Sequence, residues 1–177
     1  AEITSAHQIA MNVATTTFMV PLAISAAITV KVGQSLGSNK PEQARNFGLT
    51  GIAVCGVFML FSACLLFIFR GNIISFYNVD KVVQAMAMNL LLVVALFQIV
   101  DGIQIAAAGA LRGYKDTKIP MIINLFAYWV LAFPLSYFVG IIYTLPPSYI
   151  WGGFVLGLSV AAFLLTFRFN RVSKASI

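Results

Sequence analysis

"NFGLTGIAVCGVFMLFSACLLFIF", residues 46–69, runs without a charge from Arg45 to Arg70. As an α-helix it would rise about 36 Å, enough to cross the roughly 30 Å hydrocarbon core of a bilayer with some tilt. This stretch decides the fold class, because no surface of a water-soluble domain accommodates such a run. Outward from it the pattern repeats. Residues 11–34 and 82–111 are each long and apolar enough for a span, the latter interrupted only by Asp101. No charge occurs from Ile119 to Phe167. That stretch is too long for one helix, and "TLPPS" at 144–148 divides it, since paired prolines stop a helix. Two further spans are expected, over 119–142 and 150–168. With 60% hydrophobic and 9% charged residues and a mean hydropathy of +0.95, the composition departs far from the roughly 25% charged residues of a soluble domain. The sequence therefore predicts an all-α integral membrane protein, a single membrane domain over residues 1–177 with about five transmembrane helices. No soluble-type linker, low-complexity tract or internal repeat is visible.

The formal charge of +6 and pI near 9.6 do not point to nucleic acid. Such binding needs a solvated basic face with stacking or groove-reading elements, whereas the bases here lie in short clusters between apolar runs. Lys31, Lys40 and Arg45, then Arg112, Lys115 and Lys118, then Arg168, Arg171 and Lys174 fall on one side of a five-span alternation. Arg70 and Lys81 fall on the other, a division of nine against two. The excess of bases places the clustered side, and with it the carboxyl end, in the cytoplasm and the amino end outside. The chain opens on "AEITSAHQ", with no initiator Met, basic n-region or signal cleavage site, and is expected to be a piece of a longer protein.

Within "LFQIVDGIQIAAAGALRG", residues 96–113, Asp101 is the one acid of the expected third span. A charge at such depth costs roughly 2.5–3.5 kcal/mol on insertion scales, which makes it a candidate functional site. Arg112 lies about 16 Å away by helical rise, beyond salt-bridge reach. Asp101 is therefore expected to be protonated, to bind a cation, or to face a water-filled cavity; a protonated carboxyl bonded to a neighbouring helix is the bland alternative. Gln98 and Gln104 stand three residues to either side and Phe97 one turn before, so amides could complete an ion shell, or simply bond between helices. Asn124 and Tyr128, at i and i+4, share a face that could line a polar pathway. Pro21 and Pro134 fall inside spans, each freeing a carbonyl one turn earlier, at Thr17 and Val130, as suits kinked helices that line a cavity. The run from Ala106 to Ala110 suits close helix packing. In the loop "KVGQSLGSNKPEQARN", Gly33, Gly37, Ser38 and Asn39 read as turn residues, Pro41 and Glu42 as a helix start, and Glu42 as a partner for a nearby base. Cys55 and Cys64 would lie about 13 Å apart on one helix and cannot pair. With His7 the only histidine, no Cys/His ligand set exists, and no Walker A sequence or nucleophile triad is present. The expectation is a non-enzyme without cofactor and with no metal beyond a possible Na+ at Asp101.

"AHQIAMNVATTTFMVPLAISAAITVKVGQSLG" (6–37), "FQIVDGIQIAAAGALRGYKDT" (97–117) and "AYWVLAFPLSY" (127–137) together resemble the multidrug and toxic compound extrusion (MATE) family, in its NorM-like bacterial branch. AHQIA, VGQSLG and ALRGYKDT in this order make the resemblance specific, over nearly the whole chain. It implies twelve helices in two lobes of six, and export of cationic or amphipathic drugs in exchange for Na+ or H+. This chain would be the end of helix 7 plus helices 8–12, most of the C-terminal lobe, without the N-terminal lobe, in a bacterial inner membrane. Asp101 matches the family's helix-10 acid, implicated in coupling-ion binding, while its acidic partner on helix 7 would precede residue 1 and is not Glu2. Some relatives carry Tyr where this chain has Phe97, which removes a possible oxygen ligand. A lipid-linked precursor flippase of related architecture is the alternative; the placement of bases at helix ends rather than within the spans counts against it. A non-transporting scaffold would leave Asp101 unexplained.

Overall fold

The computed structural model describes residues 2–77, 80–138 and 147–177. The described residues fold as α1 (Glu2–Gly37), α2 (Pro41–Ser75), α3 (Lys81–Gly113), α4 (Lys118–Phe126), a π-helical turn (Ala127–Ala132), α5 (Phe133–Tyr137) and α6 (Pro147–Ala175). Five helical stretches are long and apolar enough to cross a membrane, α4, the π turn and α5 acting as one rod over Lys118–Tyr137. The all-α membrane class is thus observed, with helices that overrun the expected spans. Residues 2–10 continue directly into the first span as part of α1, and α2 includes Arg45 and Arg70. Helical hydrogen bonding does not stop at the bilayer boundary, whereas hydropathy does. The expected fourth span, 119–142, is described as far as Phe138. Of "TLPPS", residues 144–146 lie outside the described residues and Pro147 opens α6.

Two tight turns reverse the chain by the same device. Gly33 and Gly37, expected as turn residues, are helical; the reversal takes only Ser38 to Lys40. The Lys40 amide donates to the Ser35 carbonyl at 2.9 Å, and Asn39 sits at φ 59°. After α3 the Asp116 amide donates to the Leu111 carbonyl at 3.0 Å, and Lys115 sits at φ 59°. These are Schellman-type closures, which satisfy the last carbonyls of a helix by placing one residue in the left-handed region. Pro41 then opens α2 at a position where a missing N–H costs nothing.

The third span is the centre of the bundle. Half of its most apolar window is buried, 50% against 17% for α1 and 22% for α2, and it packs on α1, α2 and α6. Thr17 meets Gln98, Ser25 meets Ile105 and Thr29 meets Gly109, so α1 and α3 run parallel. Phe97 against Trp151 and Tyr114 against Phe169 make α6 parallel to α3 as well. Gly56 meets Ile103, Gly102 meets Met59 and Ser62 meets Gln98, so α2 is antiparallel. The alternation puts the three base clusters at one end of the bundle and Arg70 and Lys81 at the other. At the basic end Arg168 Nε donates to Asp116 Oδ2 at 2.8 Å, tying α6 to the α3–α4 turn. This is the ion pair found among the described residues; Glu42, expected to pair, has no such partner.

Small residues set the α1–α3 distance. Ser25, fully buried, donates its hydroxyl to the Ile105 carbonyl at 2.7 Å and accepts from Arg112 Nη2 at 2.9 Å. Thr29 Oγ1 reaches the Gly109 carbonyl at 2.8 Å. A Cβ on Gly109 would come within 2.6 Å of the Ser25 carbonyl oxygen. Because lipid tails are as apolar as leucine, such close backbone approach and interhelical hydrogen bonding hold the helices together. Gly71, by contrast, has open space around its missing Cβ. Gly109→Val is expected to destabilise the full-length protein by about 1–3 kcal/mol, read as a lowered unfolding midpoint in detergent, while Gly71→Ala leaves the midpoint unchanged.

Candidate functional site

Asp101 sits past the middle of α3, half-buried, and lines a cavity of about 190 Å³ with Phe97, Trp151 of α6, and Met11, Ala14, Thr15 and Phe18 of α1. Apart from the carboxylate and the Thr15 hydroxyl the lining is apolar and aromatic. The Thr15 hydroxyl already serves its own helix, bonding the Met11 carbonyl at 2.8 Å. Trp151 stands edge-on to Phe97, with ring centroids 5.8 Å apart, and 5.4 Å from the His7 ring. Among the described residues no cation pairs with Asp101 and no group hydrogen-bonds its carboxylate. Within reach of its field lie a phenol and aromatic faces.

The phenol belongs to Tyr128, in the π turn. Its hydroxyl lies in hydrogen-bonding contact with Gln104 and close enough to feel the Asp101 charge. Gln104 Nε2 in turn donates to Asn124 Oδ1 at 3.0 Å. Asn124 and Tyr128, one turn apart, therefore converge on one buried amide, next to the carboxylate.

Gln98 is directed elsewhere. It is buried, accepts from Thr17 Oγ1 at 3.1 Å, and extends Nε2 to Ser62 Oγ at 3.4 Å. The physical reason is angular: at 100° per residue, positions i−3 and i+3 lie about 60° to either side of Asp101, roughly 120° from each other. One amide therefore faces the α1–α2 side, the other α4. Of the residues singled out from sequence, the structure groups Phe97 with Asp101 on the cavity side and Gln104, Asn124 and Tyr128 on the other flank, and leaves Gln98 apart.

The prolines are realised differently. Pro21 is buried within a continuous α1, four residues below Thr17. Pro134 follows the π turn, where the Phe133 amide donates to the Tyr128 carbonyl five residues back. A π turn is one way in which a helix re-satisfies backbone groups beside a proline. It also presses Ala127 and Ala132 onto Gly157 of α6, whose Cβ would come within 2.8 Å of the Ala127 carbonyl oxygen and 2.7 Å of the Ala132 methyl.

Trp151 was not legible as a site residue, since a tryptophan near a span end reads as an interface anchor. The exposed face of α1 was equally hidden. Gln8, Asn12, Thr15 and Thr16 are exposed on a helix otherwise fit for hydrocarbon, and Ser5, Gln8, Ile9 and Asn12 line a second cavity of about 310 Å³ with Tyr77. No cluster of three or more His, Cys, Asp or Glu exists among the described residues. In a double-mutant cycle of Gln104→Leu with Asn124→Leu, monitored by unfolding in detergent, the two side chains are expected to couple by about 0.6 kcal/mol, the average for interhelical hydrogen bonds in membranes.

The MatE family model matches residues 1–138. The multidrug resistance protein PmpM of Pseudomonas aeruginosa is 39% identical over 99% of this chain. A probable multidrug resistance protein NorM of Xanthomonas axonopodis is 40% identical over 96%, and the multidrug resistance protein MdtK of Yersinia pseudotuberculosis 39% over 95%. The chain spans 37–38% of the length of these relatives. Among solved structures, the eukaryotic MATE transporter AtDTX14 superposes with a TM-score of 0.86 at 20% identity, over 99% of this chain and 41% of that one. An outward-facing MATE transporter of the MOP superfamily gives 0.86 at 18%, over 97% and 39%. A lone membrane carboxylate on the central helix, a parallel α1–α3 pair and these likenesses agree: the chain is a multi-pass membrane protein of the MATE family, in its NorM-like branch.

Proposed function

We propose that this chain forms most of the C-terminal lobe of a multidrug efflux antiporter. On this reading it exports cationic or amphipathic drugs in exchange for Na+ or H+, from a bacterial inner membrane, with its basic end and carboxyl terminus in the cytoplasm. The observation that carries the proposal is Asp101: a carboxylate on the central membrane helix, without a cationic partner among the described residues, in a cavity walled by Phe97, Trp151 and Phe18. Burial disfavours a bare carboxylate, and a proton or a bound Na+ relieves that penalty. The same charge, while bare, attracts an organic cation, and aromatic faces stabilise it further. Ion and drug thus compete for one group. When the ion arrives from outside it removes the negative charge the drug depends on, and drug leaves; when the ion departs inside, the site is restored. Tyr128 and the Gln104–Asn124 pair, on the opposite flank of Asp101, supply oxygens and a hydroxyl that can complete an ion shell or relay a proton. The exposed polar face of α1, on the cavity side of Asp101, supports a water-filled cavity shared with the N-terminal lobe of the full-length protein.

The test uses proteoliposomes of the full-length protein, with efflux of a fluorescent cationic dye driven separately by a Na+ gradient and by a pH gradient. One of the two gradients is expected to drive export and so to name the ion, and Asp101→Asn to reduce it to the ungated leak. Trp151→Ala is expected to raise the half-saturating dye concentration about two- to fivefold, the loss of one cation–aromatic contact, with export still coupled. Unaltered export by Asp101→Asn would refute the coupling role. Dye movement driven by neither gradient would refute drug antiport and leave lipid-linked precursor flipping in its place.

A further inference from the structure

At the basic end of the bundle, the α1–α2 hairpin encloses a cavity of about 230 Å³ that no part of the transport scheme uses. Its wall includes Lys31, Gln34 and Ser38 from α1 and its turn, and Lys40, Gln43 and Phe47 from the start of α2. The polar lining is two ammonium groups, two amides and two hydroxyls, of which that of Ser35 already bonds the Lys31 carbonyl, with no carboxylate. Neither lysine has an ion-pair partner among the described residues. Two like charges facing one polar cavity repel each other, and an anion between them would replace that repulsion with attraction to both.

The surroundings identify the source of that anion. Phe47 closes the cavity on the membrane side and is 38% exposed. Below it Val54 and Phe61, at seven-residue intervals on α2, are 49% and 61% exposed, which places them on one stripe of the helix. Beside the cavity Val30 of α1 is also exposed, at 55%. The polar cavity thus sits at the end of an exposed apolar stripe that runs along a membrane-spanning helix. A free anion would need the cavity alone; the combination with the stripe fits a molecule that is anionic at one end and apolar along its length. We infer that this cavity binds the phosphate-bearing headgroup of an anionic phospholipid from the leaflet on the basic side, its acyl chain lying along Phe47, Val54 and Phe61. The lysines neutralise the phosphate, and Gln34, Gln43 and Ser38 supply hydrogen-bond donors to its oxygens.

Native mass spectrometry of the full-length protein in detergent tests this, with phosphatidylglycerol and phosphatidylcholine as probes. Wild type is expected to retain phosphatidylglycerol in preference to phosphatidylcholine. Lys31→Gln with Lys40→Gln is expected to weaken phosphatidylglycerol binding about thirtyfold, as two juxtamembrane cations warrant, and Lys31→Arg with Lys40→Arg to keep most of it. Lys118→Gln with Lys174→Gln removes the same charge from the same end and is expected to change little. Thermal midpoints of all variants separate loss of binding from loss of folding. Equal losses in the two glutamine pairs would overturn the site in favour of diffuse surface charge, as would absence of lipid preference in wild type. Displacement of the lipid by inorganic phosphate would overturn the lipid assignment and make the cavity a site for a free anion.

Discussion

In hydrocarbon there is no water to take up an unpaired backbone amide or carbonyl, so every departure from regular helix must be satisfied by the chain itself. The rest of the structure follows from that constraint. The turns at Asn39 and Lys115 close with i to i−5 hydrogen bonds at the bundle's basic end. Pro134 is preceded by a π turn, so that its missing amide falls where the ladder has already shifted. The hydroxyls of Thr15, Thr16 and Ser159 bond carbonyls one turn back on their own helices, which lets these three occupy membrane-spanning helices without an orphaned donor, whereas the buried Thr166 hydroxyl has no such partner among the described residues.

Against this background the α1–α3 contact is different in kind. Ser25 and Thr29 reach across to carbonyls of the neighbouring helix at residues 105 and 109, a constant separation of 80 positions. The two parallel helices are thereby fixed in register along their basic halves. Farther from that end the contact continues through Thr17 and Gln98 into the buried cluster of Ala6, Ile9 and Ala10 with Ala87, Leu91 and Val94, and Asp101 lies between the Ile105 and Gln98 contacts. The site thus lies beside a pair of helices held together on both sides of it, with α6 supplying Trp151 as the third wall. A carboxylate in such a position is supported by fixed neighbours without being neutralised by any of them.

Much of this was legible in the sequence, for a definable reason. Span number, class and the one-sided distribution of bases follow from hydropathy and charge, which are properties of segments. The intramembrane acid is conspicuous because its surroundings carry no other charge. That Asn124 and Tyr128 share a face follows from helical spacing, but not that both meet Gln104. Contacts between distant segments did not follow. The Arg168–Asp116 pair joins positions 52 residues apart, Trp151 enters the site from a different span, and Ser25 in "PLAISAAITV" looks like any small membrane residue. Gln98 and Gln104 looked equivalent because their spacing from Asp101 is symmetric, and the symmetry is what sends them to opposite flanks. Gly33 and Gly37 looked like turn residues because glycine often is one, but three residues proved sufficient for the reversal.

The π turn carries one more consequence. The Ala127 carbonyl oxygen and the Ala132 methyl both lie against Gly157 of α6, and the turn holds one residue more than an α-helical turn would. Every side chain after it is therefore carried about 100° round the rod from where an unbroken α-helix would place it. Any alignment that inserts or removes a residue between Tyr128 and Pro134 turns the remainder of the rod onto a different face.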